Sequence, residues 1–383
     1  MKRLSTLLIL AVLIFNFSLA WAQTSLPKNI HTGPFKAGHI QGIAYDKANQ
    51  HLYLSYTTML IKCDLQGNIL GSVTGMVGHL GDLTFNPEDG RVYGTLEYKD
   101  DAIGRGIMAQ EKSNMKLHNG FYIAIFDGDK ITRQGIDFQE CNLVTTVYLQ
   151  QVYDDYSATV QTSAGPAEHR LGCSGIDGIS FGPKFGTNDG KQMLTVAYGV
   201  YSNHKRTDND YQVLLQYDVK KWHKYERKLT QAKEGMHTSG PASADGIYFV
   251  YTGNTNYGVQ NLEYDNELKV WWMAVYKGTK PNFPNYSLFA IDGSATPKKQ
   301  PLKGIDYIKK GAVLALQQHL PHLQDPATGV SGWHFEHGST GFHPAGDGYY
   351  FISHNYASKQ GQGCNLRLYR ITDNADQPFV LAE

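Results

Sequence analysis

The chain has 383 residues, and its 35 Lys and Arg balance 35 Asp and Glu, so the formal net charge is zero. A balanced charge argues against electrostatic capture of nucleic acid or of an anionic membrane surface. Aromatic residues make up 12% of the chain, with 25 Tyr and 16 Phe, and these residue types favour pleated, half-buried positions. The composition therefore predicts a strand-rich protein that does not bind nucleic acid.

The first residues have the features of a targeting segment. Two basic residues precede an apolar run over 7–19, and a small-x-small pattern ends at Ala22. The run is too short and wrongly flanked for a membrane-spanning helix. We therefore expect a signal peptide over 1–22, cleavage near Ala22 and export of one domain over 23–383 to the periplasm or the medium.

A pair of predicted β-strands recurs five times along the chain. The first strands lie at 39–46, 79–86, 175–182, 258–265 and 336–343, and the second at 52–56, 92–97, 193–198, 272–276 and 350–354. Third strands that end in an acidic residue follow at 59–64, 121–127, 213–218, 286–292 and 366–373. Weaker fourth strands follow at 69–73, 130–134, 248–252 and 379–381. Such repeats indicate an array in which no unit buries its core alone.

With five units of four antiparallel strands, the chain resembles the β-propeller superfamily over nearly all of its mature length. The resemblance implies an all-β fold, and no specific enzyme family is recognised. It also implies five blades, at about 40–75, 80–165, 174–252, 259–318 and 337–383. Six blades are the alternative if an insertion contains a divergent copy. The ring would close by pairing of the two termini, or residues 24–36 would add an outer strand to the last blade.

Long connections are predicted on one face of the propeller only. Connections between first and second strands are short, as at 46–51 and 86–91. The connections that share the opposite face are long, at 99–119, 141–172, 201–211 and 302–336. Binding surfaces are usually built from loops on a rigid scaffold, so we expect the functional site on this loop-rich face.

Polar residues that differ between the repeats at equivalent positions predict a specialised hub. The candidate catalytic residues are His39, His79, Asp82, Asp177 and His337. The candidate substrate-binding residues are Gln41, Glu97, Tyr198, Gln260, Asn261, Lys277, Glu336 and His354. A purely structural repeat, by contrast, can keep the same small residues in every blade.

Histidines and acids at the hub indicate proton-transfer chemistry. His39 and His79 are equivalent in adjacent repeats, which is typical of an acid–base pair or of two metal ligands; the alternative is hydrogen bonding between blades. Carboxylates from different blades would form the pair that cleaves a glycosidic bond, or would cap turns. The chain is similar to arabinanase-type glycosidases in scaffold only, since His39 and Gln41 stand where those enzymes have an aspartate.

The resemblance to propeller-fold polysaccharide lyases implies a second chemistry. In such enzymes His or Tyr removes a proton next to a uronate carboxyl group, whose charge a cation neutralises. Here His39, His79, His337, Tyr198 and Lys277 would fill such roles.

Sequence motifs give no direct support for a metal or a nucleotide. The segment 333–337 reads Trp-His-Phe-Glu-His and lacks the His-Glu-x-x-His spacing of zinc enzymes. A divalent metal at the channel, Ca²⁺, Zn²⁺ or Mn²⁺, stays an alternative that requires ligands from several blades. The chain has no Gly-x-Ser-x-Gly nucleophile elbow, P-loop or dinucleotide fingerprint.

Three functional classes follow from these observations. The first is an exported carbohydrate-active lyase or glycoside hydrolase that works at the hub. The second is a non-catalytic propeller that binds a glycan or a protein, because fold alone does not decide function. The third is a metal-dependent lactonase or phosphoesterase. The ligand expected in the first class is a glycan or another small molecule.

The four cysteines allow disulfides in an exported chain. Cys141 and Cys173 flank one insertion, so their pairing would staple that loop; free thiols are the alternative. Cys63 and Cys364 are expected to be buried thiols that act as small apolar residues.

Overall fold

The computed structural model describes residues 26–187, 190–200, 203–231, 235–253 and 256–383. The signal peptide predicted over 1–22, residues 24–25 and residues 201–202 lie outside these ranges. The described chain forms a five-bladed β-propeller, which confirms the predicted fold class and blade number. Within the described ranges, neither helix is long and apolar enough to cross a membrane.

The first half of the chain forms two blades. Strand β1 (Asn29–Phe35) precedes the first blade, which contains β2 (Ile40–Asp46), β3 (His51–Tyr56), β4 (Met59–Asp64) and β5 (Ile69–Thr74). The second blade contains β6 (His79–Asn86), β7 (Arg91–Tyr98), helix α1 (Ala102–Gln110) as an insertion, and β8 (Gly120–Asp127). After β9 (Ile136–Asp137), which adds to the edge of the first blade, β10 (Val144–Tyr148) completes the second.

The second half forms the other three blades. Helix α2 (Gln150–Ser157) and the hairpin β11 (Thr159–Thr162) and β12 (Gly165–Glu168) lead into the third blade, with β13 (Cys173–Pro183), β14 (Gln192–Val200), β15 (Tyr211–Tyr217) and β16 (Gly246–Tyr251). The fourth blade contains β17 (Val259–Asp265), β18 (Val270–Val275) and β19 (Leu288–Asp292), and β20 (Lys298–Gln300) and β21 (Gly311–Leu314) extend the third. The hairpin β22 (Leu323–Gln324) and β23 (Ser331–Gly332) precedes the fifth blade, with β24 (Phe342–Gly346), β25 (Tyr349–Ser358), β26 (Gly361–Ile371) and β27 (Phe379–Leu381).

The hydrophobic core lies between the blades. Five clusters of buried apolar residues each combine side chains from two adjacent blades. The whole of β18, with sequence VWWMAV, is buried, because blades cover it on both faces. Each blade therefore depends on its neighbours for burial, as the repeat pattern predicts.

The N-terminal strand closes the ring. Strand β1 runs antiparallel to β26 of the fifth blade, with Asn29 opposite Arg367 and Thr32 opposite Cys364. Strand β27 pairs with the other end of β26. Of the two closures left open by the sequence, the structure has the one in which the N-terminal segment adds an outer strand to the last blade.

Two buried side chains connect all five inner strands. The Asp82 carboxylate on β6 accepts hydrogen bonds from the backbone N–H groups of Leu83 (2.9 Å), Ile179 on β13 (3.1 Å) and Leu262 on β17 (3.0 Å). The amide of Asn261 donates to the Gln41 carbonyl (2.7 Å). Asn261 also accepts from the N–H of Phe342 (2.9 Å), which begins β24. Asp82 therefore links blades two, three and four, and Asn261 links blades four, one and five.

The inner strands approach so closely that only glycine fits beside Asp82. A Cβ on Gly42 would lie 2.6 Å from the Asp82 Cα atom. Burial, with a contribution from nearby Glu263, raises the pKa of Asp82 well above its usual range, and the three N–H donors oppose this shift. The hub interior is thus closed by backbone contacts around a fully enclosed carboxyl group.

Three predictions about local structure are wrong. The fourth strand of the second blade is β10 and not 130–134, because 128–130 forms a 3₁₀ turn and the apolar residues lie in β10. Within the residues that the structure describes, the fourth blade pairs three strands, β17, β18 and β19, where the repeat pattern predicts four. The inner strand of the fifth blade begins at Phe342 rather than at residue 336. Gly338 and Gly341 have positive φ angles, which interrupt an extended backbone before Phe342.

The cysteines are all free thiols. A disulfide between Cys141 and Cys173 does not form, because the two residues pack on opposite sides of the second blade. Cys173 belongs to the core between blades two and three, whereas Cys141 packs against the core between blades one and two. Cys63 and Cys364 are buried, as predicted.

Replacing Asp82 with alanine tests its structural role. The Asp82→Ala substitution leaves the N–H groups of Ile179 and Leu262 without an acceptor in the hub. Because each buried unsatisfied group costs about 1–3 kcal/mol, we expect the free energy of unfolding to fall by about 3–5 kcal/mol. Urea unfolding followed by tryptophan fluorescence measures this. Asp306→Ala at an exposed position is the control, and equal stability of the two variants would contradict the role.

Candidate active site

β-Bulges position the hub side chains. In β2, β6, β13 and β17 the pairing with the second strand shifts register at equivalent places. A bulge leaves a residue unpaired and turns its side chain in a new direction. The first residues inside these shifts are Gln41, Gly81, Asp177 and Gln260. The next residues, Gly42, Asp82, Gly178 and Asn261, contact the neighbouring inner strands.

A compact polar cluster lies at the hub mouth, on the side where β6 begins and β7 ends. One ligand-type atom each of His79, Glu97 and Asp177 lies within 4.8 Å of the others. His79 and Glu97 are opposite each other on β6 and β7, and Asp177 comes from β13 of the next blade. The His79 Nδ1 atom lies 4.0 Å from Asp177 Oδ1.

Lys99 holds the more deeply buried of the two carboxylates. Its Nζ atom lies 2.5 Å from Glu97 Oε1 and donates to the Ser174 carbonyl at 2.9 Å. The other Glu97 oxygen accepts the N–H of Ile176 at 3.1 Å. The Glu97 side chain is 4% exposed and that of Asp177 is 19% exposed. Both oxygens of Glu97 are therefore engaged, and Asp177 is the accessible acid.

A glycine on β13 makes room for this arrangement. Gly175 has a φ angle of +122°, which L-residues with a side chain rarely adopt. A Cβ at this position would lie 1.9 Å from Glu97 Oε2. The absent side chain lets the carboxylate of the second blade reach the backbone of the third.

Burial shifts the proton affinities in the cluster. Burial lowers the pKa of His79 to about 4, against the smaller opposing effect of Glu97. Burial also raises the pKa of Glu97 and of Asp177, while Lys99 lowers both. Burial lowers the pKa of Lys99, but Glu97 and Asp177 outweigh it and hold that pKa above its ordinary value. Near neutral pH, His79 is uncharged and Lys99 is a cation.

The rim of the hub mouth carries a second imidazole and amide groups. The Gln41 Nε2 atom lies 3.2 Å from His39 Nε2 and donates to Thr57 Oγ1 at 3.1 Å. Burial lowers the pKa of His39. The Gln260 amide donates to Asp177 Oδ2 at 3.1 Å.

Two tyrosines flank the cluster on the side of the fourth blade. The Tyr257 and Tyr276 rings contact edge to face, with centroids 5.5 Å apart. Tyr257 is exposed, and burial together with Asp177 raises the pKa of Tyr276 to about 12. An accessible aromatic surface therefore borders the acidic group.

Helix α1 covers one side of the cluster. Asp101 caps this helix by accepting the Gly104 N–H at 2.8 Å. The crevice between α1 and the cluster, lined by Ile103, His79 and Lys99 among others, has no room for a water molecule. The insertion between β7 and β8 thus shields Lys99 from solvent.

The structure places the other candidate residues away from the hub mouth. Asp82 and Asn261 lie in the hub interior, as described above. Tyr198 is fully buried and donates to Asp155 Oδ2 on α2 at 2.7 Å. Lys277 and Glu336 are exposed.

His337 and His354 form a separate pair in the fifth blade. Their ring centroids are 3.9 Å apart, and His354 Nε2 lies 2.8 Å from the Tyr369 hydroxyl group. Within the described ranges, no hydrogen bond or ring contact joins this pair to His79 or Asp177. The repeat pattern places Glu336 at the position of His39 and His79, and His354 at the position of Glu97. The fifth inner strand, however, starts later than the others.

The sequence pattern does not single out Lys99, because this residue follows β7 in a charged segment that resembles a solvated loop. Its spacing from Glu97 does indicate a shared location, since residues two apart on an extended strand point to the same side. Residues 104–106, which also resemble a mobile loop, belong to α1.

Comparison with known proteins yields fold-level likeness only. No family model and no curated protein sequence matches the chain. A soluble aldose sugar dehydrogenase from Escherichia coli is 10% identical with a TM-score of 0.37, over 87% of this chain and 96% of the other. A β-1,3-galactosidase of glycoside hydrolase family 43 is 10% identical with a TM-score of 0.40, over 88% and 92%. These likenesses are too distant to indicate an activity.

A pair of variants tests the buried ion pair. Because removing one partner of a buried pair costs about 3–5 kcal/mol, we expect Lys99→Met to lower the free energy of unfolding by about that amount. Adding Glu97→Gln removes the orphaned charge and should recover part of the loss. Chemical unfolding measures both, with Lys116→Met at an exposed position as control. Equal losses in the single and double variants would show that the pairing is not the cause.

Proposed function

We propose that the protein is an exported enzyme that cleaves a uronic-acid-containing carbohydrate by elimination at the hub mouth. The strongest support for this proposal is the set of titratable side chains that are accessible at the hub mouth. Two imidazoles, His39 and His79, and one accessible carboxylate, Asp177, face the loop-rich side, while the second carboxylate is buried. The interior of the hub below them is closed by Asp82.

The rim supports a sugar as the ligand. A site that holds a sugar needs aromatic surface for the ring and planar polar groups for the hydroxyls. Tyr257 and Tyr276 supply the first, and Gln41 and Gln260 supply the second.

Elimination fits the cluster better than hydrolysis does. Glycoside hydrolysis generally uses two carboxyl groups that both reach the substrate. Here Glu97 is 4% exposed and both of its oxygens accept hydrogen bonds. Elimination requires instead a single base in its unprotonated form, and burial keeps the imidazoles of His39 and His79 unprotonated by lowering their pKa values.

The step uses one base and balances without a co-reactant. A neutral imidazole removes the proton from the carbon next to the uronate carboxyl group. The electron pair forms a carbon–carbon double bond, and the bond from the adjacent carbon to the glycosidic oxygen breaks. The leaving oxygen takes up a proton from the new imidazolium or from water.

A glycan-binding propeller without chemistry is the second candidate. The edge-to-face pair of Tyr257 and Tyr276 would hold a sugar ring whether or not a bond breaks. In that case the hub histidines would support binding alone.

Product analysis separates the candidates. We expect the mature protein to convert uronic oligosaccharides to unsaturated products, detected by their ultraviolet absorbance. Because a positioned base contributes about 10²–10⁴-fold, His39→Ala and His79→Ala should lower kcat/KM by at least about 10²-fold with melting temperatures unchanged. His319→Ala, at an exposed position, is the matched control.

Two outcomes would contradict elimination. New reducing ends without a double bond would show hydrolysis. Binding of the oligosaccharide with no product would favour the glycan-binding propeller.

A further inference from the structure

We infer that His79, Glu97 and Asp177 bind one divalent transition-metal ion at the hub mouth. The inference about binding stands on the geometry of this cluster. The role given to the ion below rests on the proposed function.

The separations suit ligands of one ion better than partners of a hydrogen bond. The distance of 4.0 Å between His79 Nδ1 and Asp177 Oδ1 is too long for a hydrogen bond. Ligand atoms that each lie about 2.0–2.2 Å from one ion are roughly 3–4 Å apart. One donor atom from each residue lies within 4.8 Å of the other two, so a small inward shift of side chains completes such a set.

One ligand atom has no partner otherwise. The His79 Nδ1 atom is buried, and within the described ranges nothing forms a hydrogen bond with it. Buried polar atoms are nearly always satisfied, so each exception calls for a cause. An ion between His79 and Asp177 supplies one.

The surrounding groups orient the ligands as outer-shell partners do. Gln260 donates to Asp177 Oδ2, which leaves Oδ1 toward His79. The Ile176 N–H and Lys99 each hold one Glu97 oxygen. Each carboxylate oxygen has two lone pairs, so these bonds leave Glu97 able to ligate.

The ligand types select the class of ion. One imidazole and two carboxylates match Zn²⁺ or Mn²⁺, whereas Ca²⁺ prefers six to eight oxygen ligands. Three protein ligands leave a coordination position open, as in catalytic sites. That position faces the mouth, because Asp177 and His79 are the partly exposed members of the cluster.

The charge balance suits an anionic sugar. Glu97 and Asp177 with Lys99 leave one net negative charge, which a divalent ion converts to one net positive charge. A uronate carboxylate would then be neutralised at the ion. With the ion bound, the His79 imidazole would serve as a ligand and could not accept the substrate proton. His39 on the first blade would then be the base.

Ion binding to the mature protein without substrate tests the inference. We expect calorimetry with Mn²⁺ or Zn²⁺ to give one ion per chain, and Asp177→Asn to weaken binding at least tenfold. Electron paramagnetic resonance of the Mn²⁺ complex should show coupling to an imidazole nitrogen that His79→Ala removes. The control variants are His319→Ala and Asp306→Asn at exposed positions.

The outcomes separate this inference from the proposed function. Absence of stoichiometric binding, or binding that both hub variants retain, would overturn the metal site. An ion that binds as expected in a protein without lyase activity would support the site and overturn only the proposed function. The nitrogen coupling keeps the test decisive if a variant folds poorly, because the unsubstituted protein alone must show it.

Discussion

The enclosed Asp82 carboxyl group is the contact on which the rest of the propeller depends. It accepts hydrogen bonds from backbone N–H groups of three inner strands. Asn261 forms hydrogen bonds with the backbone of the remaining two inner strands. No blade has a complete hydrophobic core of its own, so the geometry of the ring is set where the blades meet. A carboxyl group placed there is costly to bury, and its three donors offset that cost.

The hub mouth is built on the same backbone features. The bulges on β6 and β17 turn Asp82 and Asn261 inward, and the bulges on β13 and β17 leave Asp177 and Gln260 directed at the hub mouth. On β13 and β17, a residue of the proposed site therefore directly precedes a residue that contacts a neighbouring inner strand. Lys99 balances Glu97 behind the accessible groups, and α1 keeps water from that pair. The ion pair of Glu97 and Lys99 is buried and charge-compensated, and the imidazoles of His39 and His79 lie closer to the mouth. This arrangement is suited to proton transfer.

The sequence was sufficient for the architecture and for part of the site. Period-two patterning locates the inner strands, and each predicted first strand has an aromatic residue at the same place, Tyr45, Phe85, Phe181, Tyr264 and Phe342. Counting back from that aromatic residue places His79, Asp177 and Gln260 at the same end of their strands. Alignment cannot tell which of two adjacent polar residues faces inward, because a bulge reverses the alternation. The sequence pattern therefore groups Asp82 with the catalytic candidates, whereas the structure encloses it in the hub interior.

The remaining differences come from long-range packing. Lys99 is buried only because α1 folds over it. His337 lies before the fifth inner strand and not within it, because Gly338 and Gly341 interrupt the extended backbone there. Neither effect is contained in the local pattern of a repeat.

A crystal structure of the His39→Ala variant with a bound uronic tetrasaccharide tests the central claim most directly. We expect a sugar ring at the hub mouth, against Tyr276, with its carboxylate directed at the cluster of His79, Glu97 and Asp177. A saccharide bound at the rim of a single blade, with the hub mouth empty, would contradict the assignment of this site.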